Sequence, residues 1–184
     1  MASRLLTGLA PALTAAAILG AVSTLGDWIW QRYIPDGAVV PGLAHGVLFF
    51  LVMAAVLARV SNPAVAMGRL MATLPPAGLL IAASFYPLAG FAGYLGALLI
   101  TWVLMWLSLA LLHRWARRGQ EPLSVPLIRG GLAALGSGLA FWTVSGLWTE
   151  PPLETGYLVR FLFWTFAFLP GFLALLFEPR SSGE

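Results

Sequence analysis

Residues 70–113 read LMATLPPAGLLIAASFYPLAGFAGYLGALLITWVLMWLSLALLH and contain no Asp, Glu, Lys or Arg. A helix needs about 20 apolar residues to cross the hydrocarbon core of a bilayer, so this run of 44 residues is long enough for two crossings. Helix-breaking residues cluster near its middle, at Pro87, Gly90, Gly93 and Gly96. The run therefore predicts two membrane helices joined by a hairpin.

Four more charge-free runs each have the length of a single crossing. They cover residues 5–26, 37–58, 130–149 and 161–177. Hydrophobic residues make up 60% of the chain and charged residues only 9%, whereas a soluble domain carries about a quarter charged residues. The sequence predicts an all-α membrane protein with one domain, a bundle of six transmembrane helices at 6–28, 39–59, 70–87, 92–115, 127–148 and 157–177.

The basic residues predict how this bundle is oriented. With six crossings, eight of the ten basic residues, all of them arginine, fall on one side of the membrane, and only Arg32 and Arg160 fall on the other. Cytoplasmic loops carry such an excess, so both termini are expected in the cytoplasm and the inner membrane of a bacterium is the expected location. The run after Arg4 resembles a signal peptide but has no clear small-x-small cleavage site, and we interpret it as a helix. Because the positive charge reflects orientation, no nucleic-acid partner is expected.

The residues that carry most catalytic and cofactor chemistry are missing or too far apart. The chain has no cysteine, which excludes disulfides, thiolate metal sites and thiol redox chemistry. A membrane haem needs two histidines at similar depth, but His45 is expected near the outer end of the second helix and His113 at the cytoplasmic end of the fourth. No charged residue lies in the middle of a helix, and no Ser-His-Asp set or zinc pair has a workable spacing. We therefore expect no enzyme, no cofactor and no metal site.

Asp27 and His45 are polar residues expected at the outer ends of the first two helices. A carboxylate near the membrane is costly and normally has a partner or faces a wet cavity. Asp27 is expected to pair with Arg32 or to reach His45 across the first hairpin; the alternative is an interfacial acid flanked by Trp28 and Trp30. His45 either bonds a neighbouring carbonyl or binds the headgroup or hydroxyl of a lipid.

The interior of the predicted bundle favours a mostly apolar ligand with one or two hydroxyls. Trp102 and Trp106 lie four residues apart and deeper than an interfacial belt, so they line a cavity or face lipid. Pro75 and Pro76 are expected to open the third helix and Pro87 to end it, and kinked helices can open a pocket inside a bundle. The predicted lipid-binding residues are Asp27, Trp30, His45, Phe49, Ser84, Trp102, Trp106, Ser137 and Phe141.

Two further patterns predict how the helices pack. Small residues recur every four positions at Ala12, Ala16 and Gly20, and again at Gly130, Ala134 and Gly138. Such stripes let helix backbones approach closely, either within the bundle or between copies of the chain in a homo-oligomer. The aromatic residues at 161, 163, 164, 166 and 168 surround the sixth helix on all sides, which predicts a lipid-exposed helix.

Arg114, Arg117 and Arg118 follow the fourth predicted helix on the cytoplasmic side. Each basic residue near an anionic leaflet contributes about 1 kcal/mol of attraction. The cluster is therefore expected to anchor the helix at the membrane surface, with docking of a membrane-protein partner as the alternative.

Three segments carry a resemblance to a known family. They are TAAAILG at 14–20 followed by Asp27, LSLAL at 107–111 leading into the basic loop 114–118, and SGLW at 145–148 with YLVR at 157–160 after a proline-containing loop. Together these segments resemble the Insig family, six-helix proteins of the endoplasmic reticulum that bind oxysterols and hold back sterol-regulatory partners. The resemblance implies a lipid-filled six-helix bundle.

The sequence thus favours a non-enzymatic membrane protein that binds a neutral lipid, diacylglycerol-like or sterol-like, in a cavity of the bundle. Because the composition is typical of a protein from a GC-rich bacterium, we expect a neutral glycerolipid as the ligand rather than a sterol. The alternative is the substrate-binding subunit of an energy-coupling-factor vitamin transporter, which has a similar length and six helices. The two differ in their ligand, because the transporter subunit binds a water-soluble vitamin from the outside.

Overall fold

The computed structural model describes residues 2–34, 39–60, 67–145 and 156–176, and within them the regular structure is helical, with no strand. Five helices form the fold: α1 (Ala2–Tyr33), α2 (Val39–Val60), α3 (Met67–Ala116), α4 (Ser124–Ser145) and α5 (Tyr157–Leu176). Each is long and apolar enough to cross a membrane. The predicted all-α class is confirmed, and the helices have the lengths and hydropathy of an integral membrane protein.

The long helix α3 folds back on itself at Gly93, which has φ 72° and ψ 167°. The guanidinium carbon of Arg69 lies 5.6 Å from the ring centroid of Trp115, whereas 46 residues of straight helix would separate them by about 70 Å. The rings of Phe85 and Tyr94, on either side of the bend, are 5.5 Å apart. The two arms of α3, residues 67–92 and residues 94–116, are therefore antiparallel.

The bend at Gly93 lies within the predicted cluster of helix-breaking residues, but the first arm does not end at Pro87. Pro87 was expected to end the third helix, but it lies inside the first arm of α3. The φ angle of proline is fixed near −65°, which suits a helix, while the φ of +72° at the bend requires glycine. Pro75 and Pro76 likewise lie inside the helix, which already begins at Met67.

The other predicted bounds agree with the structure to within a few residues at most ends. The first helix was expected at 6–28 and extends to Tyr33. The helix expected at 127–148 begins at Ser124, and residues 146–148 lie outside the described residues. α5 coincides with the helix expected at 157–177 to within one residue.

Each helix packs against its neighbours in the chain, and the last helix packs against the first. α1 packs against α5 and α2, α2 packs against α3, α3 against α4, and α4 against α5. The small-residue stripes form these contacts, as predicted. Ala12 and Ala16 are fully buried, and a Cβ built on Gly20 would lie 3.0 Å from the backbone nitrogen of Thr165 on α5. A Cβ on Gly130 of α4 would lie 3.0 Å from Cα of Leu107 on α3.

An aromatic core occupies the place where α2, α3, α4 and α5 meet. The ring of Phe168 lies 5.7 Å from Phe49, 5.9 Å from Trp102 and 5.6 Å from Trp164. Phe168 and Phe172 are almost completely buried, whereas Phe166 is exposed. The prediction that the aromatic residues of this helix all face lipid is therefore wrong, because one face of α5 supplies the core of the bundle.

Candidate functional site

A cavity of about 730 Å³ lies between α2 and the two arms of α3. The residues that line it are Trp30, Gly42, His45, Gly46, Phe50, Gly78, Ile81, Ala82, Phe85, Tyr86, Tyr94, Leu98, Thr101, Trp102 and Met105. No lining residue carries a formal charge at neutral pH when His45 is neutral. The volume lies within the range of ligand-binding pockets, so the cavity can hold a small apolar molecule.

Glycines on α2 and α3 explain how the walls of this cavity are built. A Cβ on Gly46 would lie 2.5 Å from Cβ of Ala82 and 2.9 Å from the carbonyl oxygen of Gly78. A Cβ on Gly78 would in turn lie 2.6 Å from the carbonyl oxygen of Gly46. The two backbones thus touch at these glycines, and the larger side chains on either side surround the cavity.

His45 supplies a polar group at the end of the cavity nearest the α1–α2 connection. Its imidazole packs against α1, where a Cβ on Gly26 would lie 2.7 Å from Cε1 of His45. The ring is stacked on Phe49 at 6.2 Å and meets Trp30 edge-on at 6.5 Å. The residue is exposed although it lies inside the helix, and it lines the cavity. The imidazole therefore brings a polar group to the cavity wall.

Two of the three hydroxyl groups of the cavity wall, those of Tyr86 and Thr101, donate to backbone carbonyl groups, and the third is that of Tyr94. Tyr86 donates to the carbonyl oxygen of Val39 at 3.1 Å, which holds the first arm of α3 against the start of α2. Thr101 donates to the carbonyl oxygen of Ala97 at 2.8 Å. Such bonds to the backbone are the usual state of hydroxyls in membrane helices. The imidazole of His45 and the phenol of Tyr94 are therefore the polar groups of the lining that we consider as ligand partners.

Behind His45 lies a cluster of charged and polar side chains. The indole nitrogen of Trp164 donates to Oδ2 of Asp27 at 2.8 Å. Asp27 also interacts electrostatically with Arg160 and His45, and Arg160 is only 4% exposed. The hydrogen-bond partner of Asp27 in the structure is thus Trp164, and neither of the partners expected for it, Arg32 and His45, forms a hydrogen bond or salt bridge with it among the described contacts. Arg32 instead places its guanidinium 5.7 Å from the ring of Trp28.

The nine predicted lipid-binding residues divide into two groups. Trp30, His45 and Trp102 line the cavity, while Asp27, Phe49, Ser84, Trp106, Ser137 and Phe141 do not. Three of the second group support lining residues: Phe49 stacks on His45, the hydroxyl of Ser137 accepts a hydrogen bond from Trp102 at 3.0 Å, and Phe141 packs on Trp102. Phe141 stacks on Trp102 and Trp164 at 5.7 and 4.8 Å.

Ser84 and Trp106 have packing roles instead. Ser84 donates to the carbonyl oxygen of Ile81 at 2.7 Å. Trp106 is completely buried, and its ring fills the space that a side chain on Gly171 would need. The other twelve residues of the lining were not among the nine predicted ones. They include Phe85 and Tyr94, whose rings pair across the bend of α3, where a hairpin was predicted without its side-chain pairing.

The arginine cluster lies at the opposite end of the bundle. Arg114 donates from Nε to the main-chain oxygen of Glu121 at 2.9 Å, which closes the loop between α3 and α4. The carboxylate of Glu121 forms a salt bridge with Arg129 at 3.5 Å. Arg118 is exposed and has a φ of 52°. The loop is therefore held by its own arginine, and a further arginine on α4 joins the predicted cluster.

Within the described ranges no three His, Cys, Asp or Glu side chains are grouped so that they could hold a metal ion. Comparison with protein-family models, with curated proteins and with solved structures found no match to this chain. The functional interpretation therefore depends on the geometry of the cavity and on the residues around it.

Proposed function

We propose that this protein is a non-enzymatic integral membrane protein that binds a neutral lipid in the cavity between α2 and α3. The observation that carries the proposal is the cavity itself, about 730 Å³ with apolar walls and His45 at one end. A charged ligand in this space would lack a partner of opposite charge, which is costly away from water. A molecule with an apolar body and one hydroxyl or ester group meets no such cost.

The proposed placement in the membrane has six crossings, with both termini in the cytoplasm. It is supported by the antiparallel arms of α3, each longer than the roughly 20 residues that one crossing needs. It is also supported by the arginines at the end of the bundle where α3 ends: Arg69, Arg114, Arg117, Arg118 and Arg129. Such an excess is typical of the cytoplasmic side.

In this proposal His45 binds the polar part of the lipid. A neutral imidazole has one donor and one acceptor nitrogen, so it can bond either a hydroxyl or a carbonyl group. Asp27 lies behind His45 and does not line the cavity, so its role is to position the imidazole through its charge. The chains of a diacylglycerol-like lipid, or the rings of a sterol-like one, would lie against Phe50, Leu98 and Met105.

The resemblance to the Insig family supports the same class of ligand. In that family, too, a bundle of six helices encloses a lipid. We infer no sterol-regulatory partner for this chain, because the proposal depends only on the cavity and on the polar group at its end.

The test is to identify the lipid that the protein retains and to block the cavity. The full chain is purified in a maltoside detergent, and its lipid extract is compared with that of the source membrane by mass spectrometry. Leu98→Trp places a large side chain into the cavity lining, while Leu99→Trp adds the same side chain at a neighbouring position that is 45% exposed and lies outside the lining. Both variants are checked for the same thermal transition as the wild type.

We expect one neutral lipid to be enriched in the wild type and in Leu99→Trp. In Leu98→Trp this enrichment should be lost. A His45→Phe variant should keep the apolar cavity and lose the preference for a lipid that carries a hydroxyl. A lipid composition equal to that of the bulk membrane in all variants would contradict the proposal. Tight binding of a water-soluble vitamin, blocked by Leu98→Trp, would instead support a transporter subunit.

A further inference from the structure

The cavity between α2 and α3 has a floor formed by Phe50, Gly78 and Met105. All three line the cavity and are buried, with Phe50 3% and Met105 7% exposed. A Cβ built on Gly78 would lie 2.7 Å from the Phe50 side chain, so these two residues are in contact. Gly78 lies nine residues after Arg69 on the first arm of α3. Met105 lies ten residues before Trp115 on the second arm, and Trp115 packs against Arg69. The helix rise therefore places both floor residues about 14 Å from that pair, at one level of the bundle.

Packed core lies directly beneath this floor. The next layer consists of Met53, Leu74 and Leu109, each one turn further along α2 or an arm of α3. All three are completely buried and belong to the hydrophobic core, and none of them lines the cavity. Among the described residues the cavity therefore ends at its floor and does not continue through the bundle.

The length of the cavity follows from the helix rise. Its lining spans residues 42–50 of α2, 78–86 of the first arm of α3 and 94–105 of the second arm. At 1.5 Å per residue, the first two spans are about 12 Å long and the third is about 16 Å long. An extended alkyl chain has the same zigzag of single bonds as an extended backbone, which advances about 1.2 Å per bond. The cavity is therefore long enough for about 10 to 13 carbons in a row.

The inner part of the cavity suits an apolar chain. The indole nitrogen of Trp102 donates to the hydroxyl of Ser137 at 3.0 Å. The hydroxyl of Thr101 donates to a carbonyl oxygen of its own helix at 2.8 Å. A polar group of a ligand would lack a partner beside these residues, which is costly away from water. The polar part of the ligand therefore belongs with His45 and Tyr94, and its chain points toward the floor.

We propose that Phe50 and Met105 set the longest acyl chain that the cavity accepts, and that this chain has about 10 to 13 carbons. A longer chain has to fold back above the floor or withdraw its polar end from His45. Forcing extra methylene groups into a packed space is costly, and the cost known from protein cores corresponds to roughly a tenfold loss of affinity. The inference rests on the proposed lipid binding and adds the length of the chain.

Two buried methionines provide a matched test. Met105→Ala deepens the cavity at its floor, whereas Met53→Ala removes the same side chain from the layer beneath, which does not line the cavity. Thr101→Phe adds a ring to the lining one turn before Met105 and on the same face of the helix, so it raises the floor. Thr101 is only partly buried, and this variant decides the test if the methionine variants lose the thermal transition of the wild type.

The probe is an equimolar mixture of 1-monoacylglycerols with even-numbered chains from octanoyl to stearoyl. The full chain is reconstituted in nanodiscs of dioleoylphosphatidylcholine, so that no single-chain detergent competes for the cavity. Native mass spectrometry of the protein released from the nanodiscs shows which chains remain bound.

In the wild type we expect decanoyl and dodecanoyl chains to dominate, with stearoyl bound about tenfold less than its share of the mixture. Met105→Ala should move the preference about two carbons longer, because it removes three heavy atoms beyond Cβ. Thr101→Phe should move it about four carbons shorter, since one turn of helix is equivalent to that length of chain. Met53→Ala should keep the preference of the wild type.

The outcomes separate the chain limit from lipid binding itself. Bound monoacylglycerol with the same chain distribution in the wild type, Met105→Ala and Thr101→Phe would overturn the chain limit and leave the lipid-binding function standing. An equal shift in Met53→Ala and Met105→Ala would also overturn it, because only Met105 lines the cavity. A folded wild type that retains no chain of any length would overturn both proposals.

Discussion

Trp164 on α5 donates a hydrogen bond from its indole nitrogen to Oδ2 of Asp27 on α1, with 2.8 Å between the two atoms. The bond joins residues 137 positions apart in the chain and links two helices that pack against each other. Arg160, one turn earlier on α5, is almost completely buried and interacts electrostatically with the same carboxylate. Asp27, which the sequence predicts at the membrane surface, is thus part of the contact between α1 and α5.

Trp164→Phe should therefore lower the stability of the protein. Phenylalanine preserves an aromatic ring between Phe141 and Phe168, which lie 4.8 and 5.6 Å from the Trp164 ring, but it removes the donor. A partly buried carboxylate that loses its donor costs about 1–3 kcal/mol. The measurement is the free energy of unfolding by denaturant in detergent, with Trp142→Phe as control because Trp142 is 52% exposed. Equal stability of the two variants would show that the bond contributes nothing.

Gly20→Ala tests the contact between α1 and α5. The added Cβ would lie 3.0 Å from the backbone nitrogen of Thr165 and 3.1 Å from the carbonyl oxygen of Phe161, so the two helices must separate. Overpacking of this kind costs about 1–3 kcal/mol. Gly8 lies on the same helix with no atom within 4 Å of its built Cβ, so Gly8→Ala should be neutral or slightly stabilising. The difference is read from the thermal transitions, and a shift of the same size in both variants would contradict the packing role.

Gly93→Ala tests the bend of α3. With φ 72° and ψ 167°, the residue occupies a region that is essentially restricted to glycine, and other residues there cost about 1–3 kcal/mol. Gly90, three residues earlier, has open space around its built Cβ and no positive φ, so Gly90→Ala should have little effect. Thermal unfolding in detergent compares the two variants. A stable Gly93→Ala protein would mean that the chain bends back at another residue.

The sequence predicted the helices well because charges cannot stay in the hydrocarbon core, and so the charge-free runs coincide with the helices. It predicted the bend of α3 within the cluster from Pro87 to Gly96, which contains Gly93, but it took Pro87 as the helix end because Pro87 and Gly93 are both helix breakers by type. Only the backbone geometry separates them, because a proline φ suits a helix and a φ of +72° does not. The prediction that α5 is exposed to lipid was also wrong. Aromatic residues occur on all sides of this helix, so their spacing does not show which side is buried.

The candidate site was predicted in part, for similar physical reasons. His45 was found because a polar residue just inside a membrane helix is costly unless it has a partner. Tyr94 and Phe85 were missed, since their position in the cavity wall depends on which residues meet across the bend. Arg160 was assigned to the outer side of the membrane from its place between two predicted crossings, and its burial depends on how the helices pack, which the sequence does not show.

Labelling of single cysteines tests the orientation and the hairpin together. The chain has no cysteine, so Gln31→Cys and Gln120→Cys each introduce a unique thiol at an exposed residue, one near the end of α1 and the other just after α3. If the arms of α3 cross the membrane separately, Gln31 and Gln120 lie on opposite sides; if α3 crossed once, they would share a side. In intact bacterial cells a membrane-impermeant maleimide should label the thiol at position 31 alone, and the thiol at position 120 should react only after the membrane is broken. Labelling of both thiols in intact cells would contradict the hairpin, and labelling of position 120 alone would reverse the orientation that the arginines predict.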